Sequence, residues 1–230
     1  MIIKDVRECL FKGINQKLSV HGFKMNKSEN AFDRKTNNAV QTIYFIIYKK
    51  NEEIFVEPRW AIKIQSILEV YYKVSVMKKK YLKGIPVLSN SLFQLMEYID
   101  DDNERGSSKS VKYVIDNQED IEILINVIPT RVEEYILPYF EKNSSVERVD
   151  FLLNSNPRQL VIHNWLYPLR AIMGLIAAKL AHNPNFDELL RVYEEELQEA
   201  NPDNKAEFEH LKLIISRNSE DDKYNANTVL

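Results

Sequence analysis

The chain has 230 residues, of which 44% are hydrophobic and 28% are charged, a balance typical of a globular protein with a core and not of a disordered chain. It contains no run of about 18 apolar residues, and charged residues interrupt the N-terminal segment where a secretory signal needs an apolar stretch. The single cysteine, Cys9, excludes an internal disulfide and a zinc site built from several cysteines of one chain. We therefore expect a cytoplasmic protein with no membrane association.

Charge is divided unevenly along the chain. Residues 1–99 carry 17 Lys and Arg against 9 Asp and Glu, a net charge of +8, whereas residues 100–230 carry 14 against 25, a net charge of −11. The basic part could face an acidic partner. Alternatively, the two parts attract each other or the charges are simply solvated, and the scattered positions of the lysines favour this second interpretation.

The first predicted elements are a helix and two short strands. Apolar residues recur at every fourth position over residues 3–20, which predicts a helix that ends near Gly22. The short strands are predicted at 23–27 and 31–35, on either side of a polar turn.

Two longer strands follow, at 39–48 and 54–64, because these segments are rich in β-branched and aromatic residues and are separated by a polar turn. Pro58 lies within the second segment and predicts a sheet edge, a bulge or a strand end. The short connections favour an antiparallel meander over residues 23–64.

The middle of the chain is less regular. Residues 66–82 fit either a helix or a strand, and the spacing of their apolar residues slightly favours the helix. A short helix is predicted at 90–98 and a flexible loop at 100–110. A last strand at 111–115 and a helix cap at Asp116 come next.

The second half is predicted to be helical. An apolar stripe continues in phase across Pro129, so this proline should kink the helix and not end it. Ser144 and Glu147 form a capping-box pattern that opens the next helix, which runs to Leu153. Three further helices are predicted at 165–180, where Trp165 begins the apolar stripe, at 186–200 and at 206–217.

These elements predict an α+β fold, in which an N-terminal helix and an antiparallel β-sheet are followed by an all-helical C-terminal half. The predicted organisation is an α+β domain over residues 1–154, a helical C-terminal extension over 155–217 and a flexible tail over 218–230. No pattern in the sequence specifies an oligomeric state.

Known catalytic motifs are absent from the sequence. The five glycines form no phosphate-binding loop, and neither G-x-S-x-G nor H-E-x-x-H occurs. The four histidines are too far apart to pair on one helix face, and the acidic run at 100–102 lacks the alternating spacing and the glycine of a calcium loop. We therefore expect no cofactor and no metal, and the missing motifs argue against an enzyme.

Three residues are candidate binding residues: Arg34, Arg59 and Trp60. Arg34 should share a strand face with Phe32, and an arginine on the core side needs a partner, usually a carboxylate. A structural ion pair is the simpler role for Arg34, and a place in the core is the simpler role for Trp60. A cleft that joined these residues to carboxylates would instead indicate a ligand site.

The densest basic run, Lys78 to Lys80 with Tyr81 and Lys83, combines cations with an aromatic ring, as nucleic-acid sites do. The acidic total charge and the lack of a nucleic-acid-binding signature argue against this role. We therefore expect no nucleic acid partner.

Several landmarks occur together: Gly22-Phe23 after the first helix, Phe32-Asp33-Arg34 nine residues later, and Leu137-Pro138-Tyr139-Phe140 before a short helix. They resemble an uncharacterised bacterial family defined only as a domain of unknown function, whose members read G-F, F-x-R and L-P-W/Y-F. The resemblance covers residues 3–153. It implies no established activity; small bacterial proteins of this kind are proposed as toxin-immunity or prophage-associated factors.

The charge split and the missing motifs favour a non-enzymatic protein-interaction module that binds another protein. The alternative is a nucleic-acid-binding protein or an enzyme with an unrecognised site, which would need a cleft that brings Arg34 and Arg59 together with carboxylates.

Overall fold

The computed structural model describes residues 2–101 and 112–226, with side chains up to residue 215. Within these residues, six strands form one antiparallel sheet in the order β1-β2-β3-β4-β5, and β6 also pairs with β4. The strands are β1 Lys24–Asn26, β2 Ala31–Lys35, β3 Ala39–Lys50, β4 Glu53–Ile64, β5 Leu88–Ser91 and β6 Tyr113–Ile115.

Helix α1 (Ile3–Ser19) precedes the sheet, and most of the chain after β6 is helical. The other helices are α2 Gln65–Val74, α3 Lys79–Leu82, α4 Leu92–Asp101, α5 Gln118–Arg131, α6 Leu137–Asn143, α7 Val146–Asn154, α8 Tyr167–Leu180, α9 Phe186–Glu196 and α10 Pro202–Ala226. The α+β class, with its N-terminal helix, antiparallel sheet and helical C-terminal half, is thus confirmed. No helix among the described residues has the length and hydropathy needed to cross a bilayer.

The centre of the sheet is the hairpin of β3 and β4. Its turn has only two residues, Asn51 and Glu52, which both adopt positive φ angles of 50° and 68°. Positive φ at both positions gives a backbone twist that matches the twist of the paired strands. The strands pair from Ala39 with Ile64 to Lys50 with Glu53, so the two predicted strands are confirmed and are slightly longer than expected.

Pro58 lies in the middle of β4, opposite Phe45 of β3, so the predicted edge, bulge or strand end at this proline is wrong. On the other side of β4, β6 pairs with residues 54–56 and β5 pairs with residues 59–62. In the described parts of the chain, Pro58 therefore lies at a gap between two short strands. A residue without an N–H donor is tolerated there because the ladder needs no hydrogen bond on that side.

One face of the sheet is covered by the helices. The apolar stripe of α1 is fully buried. The ring of Phe11 packs against the rings of Phe32 and Phe45, with a centroid distance of 5.2 Å in each pair. The buried apolar cluster continues from α1 through the sheet to Leu211 of α10. The predicted division into a domain over residues 1–154, a helical extension over 155–217 and a flexible tail over 218–230 stays a prediction.

Two predicted helix caps are each one residue too early. Asn117, not Asp116, caps α5, because its side chain accepts from the backbone N–H groups of Glu119 and Asp120. At each of the two caps, Asp116-Asn117 for α5 and Ser144-Ser145 for α7, two residues of capping type are adjacent, and the sequence pattern alone does not choose between them.

At α7 the cap is Ser145, whose hydroxyl accepts from the Arg148 N–H at 3.3 Å, whereas Ser144 donates to the Phe140 carbonyl at 2.7 Å. The predicted capping box of Ser144 and Glu147 is therefore wrong.

Two predictions for the middle of the chain agree with the structure. The ambiguous segment 66–82 is helical in α2 and α3, and the helical path continues past Pro129 through a π-helical turn into α6.

Other predictions differ from the structure at the ends of elements. A strand, β5, occupies residues where a helix was expected to begin. Trp165 is 51% exposed and precedes α8, because Pro168 sets the start of that helix. The predicted loop at 100–110 lies mostly outside the described residues.

A fully buried arginine fixes the connection between α7 and α8. Arg170 has 0% exposure. Its Nε and Nη2 donate to the Leu153 carbonyl at 3.2 Å and 2.7 Å, and Nη2 also donates to the Asn156 carbonyl at 2.9 Å. Nη1 donates to the Gln159 carbonyl. The charge is thus stabilised by backbone carbonyl dipoles at the end of α7 and in the loop that follows it.

Replacement of Gly174 on α8 by alanine should destabilise the packing of α7, α8 and α9. A Cβ at this position would lie 2.5 Å from Asn154 Oδ1 and 3.3 Å from Tyr193 Oη. Because those two atoms also hydrogen-bond each other at 2.7 Å, neither moves freely. We expect G174A to lower the free energy of unfolding in urea by about 2 kcal/mol.

Gly84→Ala is the matched control, because its nearest neighbour would be the Tyr81 carbonyl at an ordinary 3.8 Å. It should change the free energy of unfolding by less than about 0.5 kcal/mol. Equal stabilities for the two variants would contradict the close packing described for Gly174.

Candidate functional site

The second face of the sheet carries side chains that are mostly partly exposed; we call it the open face. On β3 it presents Thr42, Tyr44 and Ile46, and on β4 it presents Arg59 and Lys63. Tyr44 pairs with Arg59 across the strands, so both point to the same side. Apolar side chains belong to this face as well, and Ile46 of β3 is 41% exposed.

A groove of about 660 Å³ lies between the open face and the segment of residues 80–86; we call it the sheet groove. Its floor includes Asp33, Thr42 and Tyr44, and its wall includes Lys80 and Tyr81. The volume is in the range of known ligand sites.

Asp33 lies in a fixed position on the floor of the sheet groove. Its carboxylate accepts hydrogen bonds from Asn26 Nδ2 at 2.9 Å and from Thr42 Oγ1 at 2.7 Å. Both donors are neutral. In the part of the chain that the structure describes, no lysine or arginine forms an ion pair with Asp33, so its negative charge remains uncompensated there.

Arg59 is held in place at the centre of the open face. Its Nε donates to Tyr44 Oη at 3.0 Å and its Nη1 donates to Glu57 Oε1 at 2.6 Å. Burial opposes the positive charge, but Tyr44 and Glu57 together outweigh this effect and raise the pKa of the Arg59 guanidinium. The face therefore has a rigid, permanently charged centre.

Lysines at one end of the sheet groove are not neutralised by carboxylates. Lys63 Nζ donates to the Lys83 carbonyl at 2.8 Å, and Lys80 Nζ lies 4.6 Å from the ring centroid of Tyr81. Among the described side chains, none of Lys63, Lys80 and Lys83 has a carboxylate partner. This lysine end is therefore available to a negatively charged partner.

The structure does not bring the three predicted binding residues together. Arg59 lies on the open face, whereas Trp60, its neighbour in β4, points into the core. Trp60 has 0% exposure, donates from Nε1 to the Ser91 carbonyl at 3.2 Å and lies 4.7 Å from the ring of Tyr139. Arg34 lies at a corner of the covered face, away from Arg59.

Arg34 connects β2 to α6 and to the end of α1. Its Nε donates to Gln41 Oε1 at 2.7 Å, its Nη1 to the His21 carbonyl at 3.4 Å and its Nη2 to Glu141 Oε1 at 2.7 Å. The guanidinium carbon lies 5.0 Å from the ring centroid of Phe23. Its hydrogen-bonding groups are thus directed to groups within the chain, including the carboxylate that the sequence led us to expect.

The sequence landmarks meet at this corner. Phe23 packs on Phe140 with centroids 6.4 Å apart, and Gly22 adopts a φ of 83°, which favours glycine. One structural contact therefore joins the three landmarks, through Gly22-Phe23, the arginine of Phe32-Asp33-Arg34 and the end of Leu137-Phe140.

Comparison of the chain with protein-family models, with curated proteins and with solved structures finds no match. The resemblance to a domain-of-unknown-function family stays a prediction.

A second polar cluster is buried beneath the sheet. Tyr139 Oη and His163 Nδ1 form a hydrogen bond of 2.7 Å, and the ring of Tyr98 lies edge-on to His163 at 5.0 Å. Burial, followed by the positive charges of Arg170 and Arg148, lowers the pKa of His163 to about 3. Burial likewise raises the pKa of Tyr139 well above its ordinary value. Both side chains therefore stay neutral at pH 7.

Of the residues on the open face, sequence reasoning named Arg59 and did not name Asp33, Tyr44 and Lys63 as candidates. The register of the hairpin would have revealed Tyr44, because a turn at Asn51 and Glu52 places Tyr44 opposite Arg59. Within the described ranges, no cluster of three or more His, Cys, Asp or Glu side chains could hold a metal ion. The open face offers charges, hydrogen-bonding groups and aromatic surface to a binding partner.

Replacement of Arg34 by methionine should destabilise the fold, because Gln41 and the His21 carbonyl lose their donor. We expect R34M to lower the free energy of unfolding by about 2 kcal/mol in urea. Lys35→Met is the matched control on the same strand, since Lys35 is exposed, and should change it by less than about 0.5 kcal/mol. A similar loss in both variants would show that the corner does not depend on the guanidinium.

His163 should make stability depend on pH. Its folded pKa of about 3 lies below the ordinary value of 6.5, so its contribution is complete above pH 6.5 and is lost as the pH falls toward 3. We expect the wild type to lose about 2 kcal/mol more than His163→Gln between pH 7 and pH 5. Urea unfolding at the two pH values measures this difference.

His182→Asn is the control, because His182 is exposed and has a positive φ that asparagine tolerates. This variant should keep the pH dependence of the wild type. A pH dependence of His163→Gln that matches the wild type would contradict the burial of a neutral imidazole.

Proposed function

We propose that the protein is a non-enzymatic binding protein that uses the open face of its sheet to bind another protein. The observation that supports this function best is the composition of that face. A solvated sheet face normally carries polar side chains, whereas this one displays apolar and aromatic residues around Arg59. On it, Ile46 and Val114 are each 41% exposed.

The arrangement matches the anatomy of protein–protein interfaces. Tyrosine and arginine supply most strong contacts in such interfaces, and the polar rim lies around them. Tyr44 and Arg59 occupy the centre and are held by their mutual hydrogen bond of 3.0 Å. Tyr48 and Phe55 stack with centroids 5.3 Å apart on the same face, beyond Ile46 and Glu57 along the two strands. Side chains that are already ordered lose little entropy when a partner binds.

The charges on the open face indicate the chemistry of the partner. The lysine end favours carboxylates, and the opposite end, at Ile46 and Val114, favours apolar side chains. Asp33 lies beside the lysine end, on the floor of the sheet groove, and would repel a continuous run of phosphates. A protein surface that is acidic at one end and apolar at the other therefore fits this face better than a nucleic acid does.

The proposal predicts that a partner will be cross-linked from the open face. A photo-reactive amino acid placed at position 46 should capture one protein in a lysate of the source organism, to be identified by mass spectrometry. The same amino acid at position 20 is the control, because Val20 is 77% exposed and lies at the end of α1. It should not capture that protein.

With the purified partner, Ile46→Asp should weaken binding by about 10-fold or more in calorimetry, because a charge would replace an apolar contact. Val20→Asp should leave the affinity unchanged. If position 46 captures no protein and the chain instead binds single-stranded DNA or RNA at physiological salt, with loss of binding in Lys80→Glu, the protein-binding proposal would be overturned in favour of nucleic acid.

A further inference from the structure

A second groove lies between α1 and β1, on residues that the sheet groove does not use. Its volume is about 760 Å³, which is in the range of small-molecule sites. We call it the helix groove. Its lining includes Lys4, Arg7, Phe11, Lys12, Met25 and Lys27. This groove is independent of the proposed interface on the open face.

The helix groove has an excess of positive charge. Four of its described lining residues are cations, and one, Glu8, is an anion. Glu8 lies 3.9 Å from Lys4, and the side chains of this pair are 68% and 77% exposed. Such an exposed pair is weak and leaves the other cations uncompensated. The groove should therefore attract anions.

Arg7 provides an independent sign of a ligand site. Its Nε atom is buried and has no hydrogen-bond partner within the described residues. A buried N–H group without an acceptor is unfavourable, and such groups are rare in folded proteins. An acidic group placed in the groove would meet the positive charge of the guanidinium, and rotation of the Arg7 side chain would then turn the Nε N–H from its buried position toward that acceptor.

The floor of the helix groove is apolar. Phe11 is 5% exposed and is fixed by its ring contacts with Phe32 and Phe45. Met25 of β1 is partly buried and packs against the core. A ligand held by Arg7 through an acidic group would therefore place any apolar part on Phe11 and Met25.

From the uncompensated cations, the buried Arg7 Nε and the apolar floor, we propose that the helix groove binds a small organic anion. The acidic group, a carboxylate or a phosphate, accepts from Arg7, and the apolar body covers Phe11 and Met25. A free inorganic anion offers only the first of these contacts, and an uncharged apolar molecule offers only the second.

NMR titration of the full ¹⁵N-labelled chain tests this site. The probes are phenyl phosphate and octanoate, which carry different acidic groups, with inorganic phosphate and benzyl alcohol as the two partial ligands. We expect phenyl phosphate or octanoate to shift the amide signals of Arg7, Phe11 and Met25. Inorganic phosphate and benzyl alcohol should bind more weakly than the preferred one of these two probes.

Arg7→Gln should weaken binding of the preferred probe by about 10-fold, because a charge-assisted hydrogen bond is lost. Arg191→Gln is the control on an exposed helix surface and should bind as the wild type does. Lys12→Gln provides a second, exposed position should Arg7→Gln fail to fold, and it should weaken binding by a few-fold.

Three results would overturn the proposal: no localised shifts in the groove with either organic anion, equal affinity for inorganic phosphate, or equal losses in Arg7→Gln and Arg191→Gln. Because the helix groove and the open face are separate, Arg7→Gln should leave binding of the protein partner unchanged. Failure of one site is thus distinguishable from failure of the other.

Discussion

The register of the β3–β4 hairpin is the constraint on which the rest of the structure depends. The tight turn at Asn51 and Glu52 places Ile43 opposite Trp60 and Tyr44 opposite Arg59. Successive side chains of a strand point to opposite faces, so a slip of one residue would put Trp60 in water and Arg59 in the core. The covered core and the open face therefore follow from a single pairing.

The cations of the chain divide into two groups by the partners they have. Arg34, Arg59 and Arg170 direct their hydrogen bonds to groups within the chain, and their charges stabilise corners and loops of the fold. Lys80 and Arg7 instead line grooves and lack carboxylate partners among the described residues. This second group is where binding of an external anion or an acidic protein surface is favourable, since no internal pair has to be broken first.

Much of the architecture could be predicted because it follows from local periodicity. The stripe of α1 and the aromatic strands β3 and β4 are long, regular patterns, and both were predicted correctly. Pro58 was misread because its environment depends on β5 and β6, which come from distant parts of the chain. A pattern within one segment carries no information about a gap between two other segments.

In the candidate site, too, local patterns could be predicted and contacts between distant segments could not. Arg34 was expected to need a carboxylate, and the sequence could not name Glu141, which is 107 residues away. Arg59 was found, but its grouping with Trp60 ignored the alternation of strand faces. Asp33 and Lys63 carry no motif; they matter through the strands and the segment that surround them.

The buried Arg170 has a consequence for how the chain opens. Its guanidinium holds the carbonyls of Leu153, Asn156 and Gln159, which span the connection from α7 to α8. If this connection detached while α8 stayed packed, a full positive charge would be stranded in an apolar interior, which is strongly unfavourable. Local fraying of the linker is therefore suppressed, and α7, the connection and α8 should exchange their amide protons as one cooperative unit.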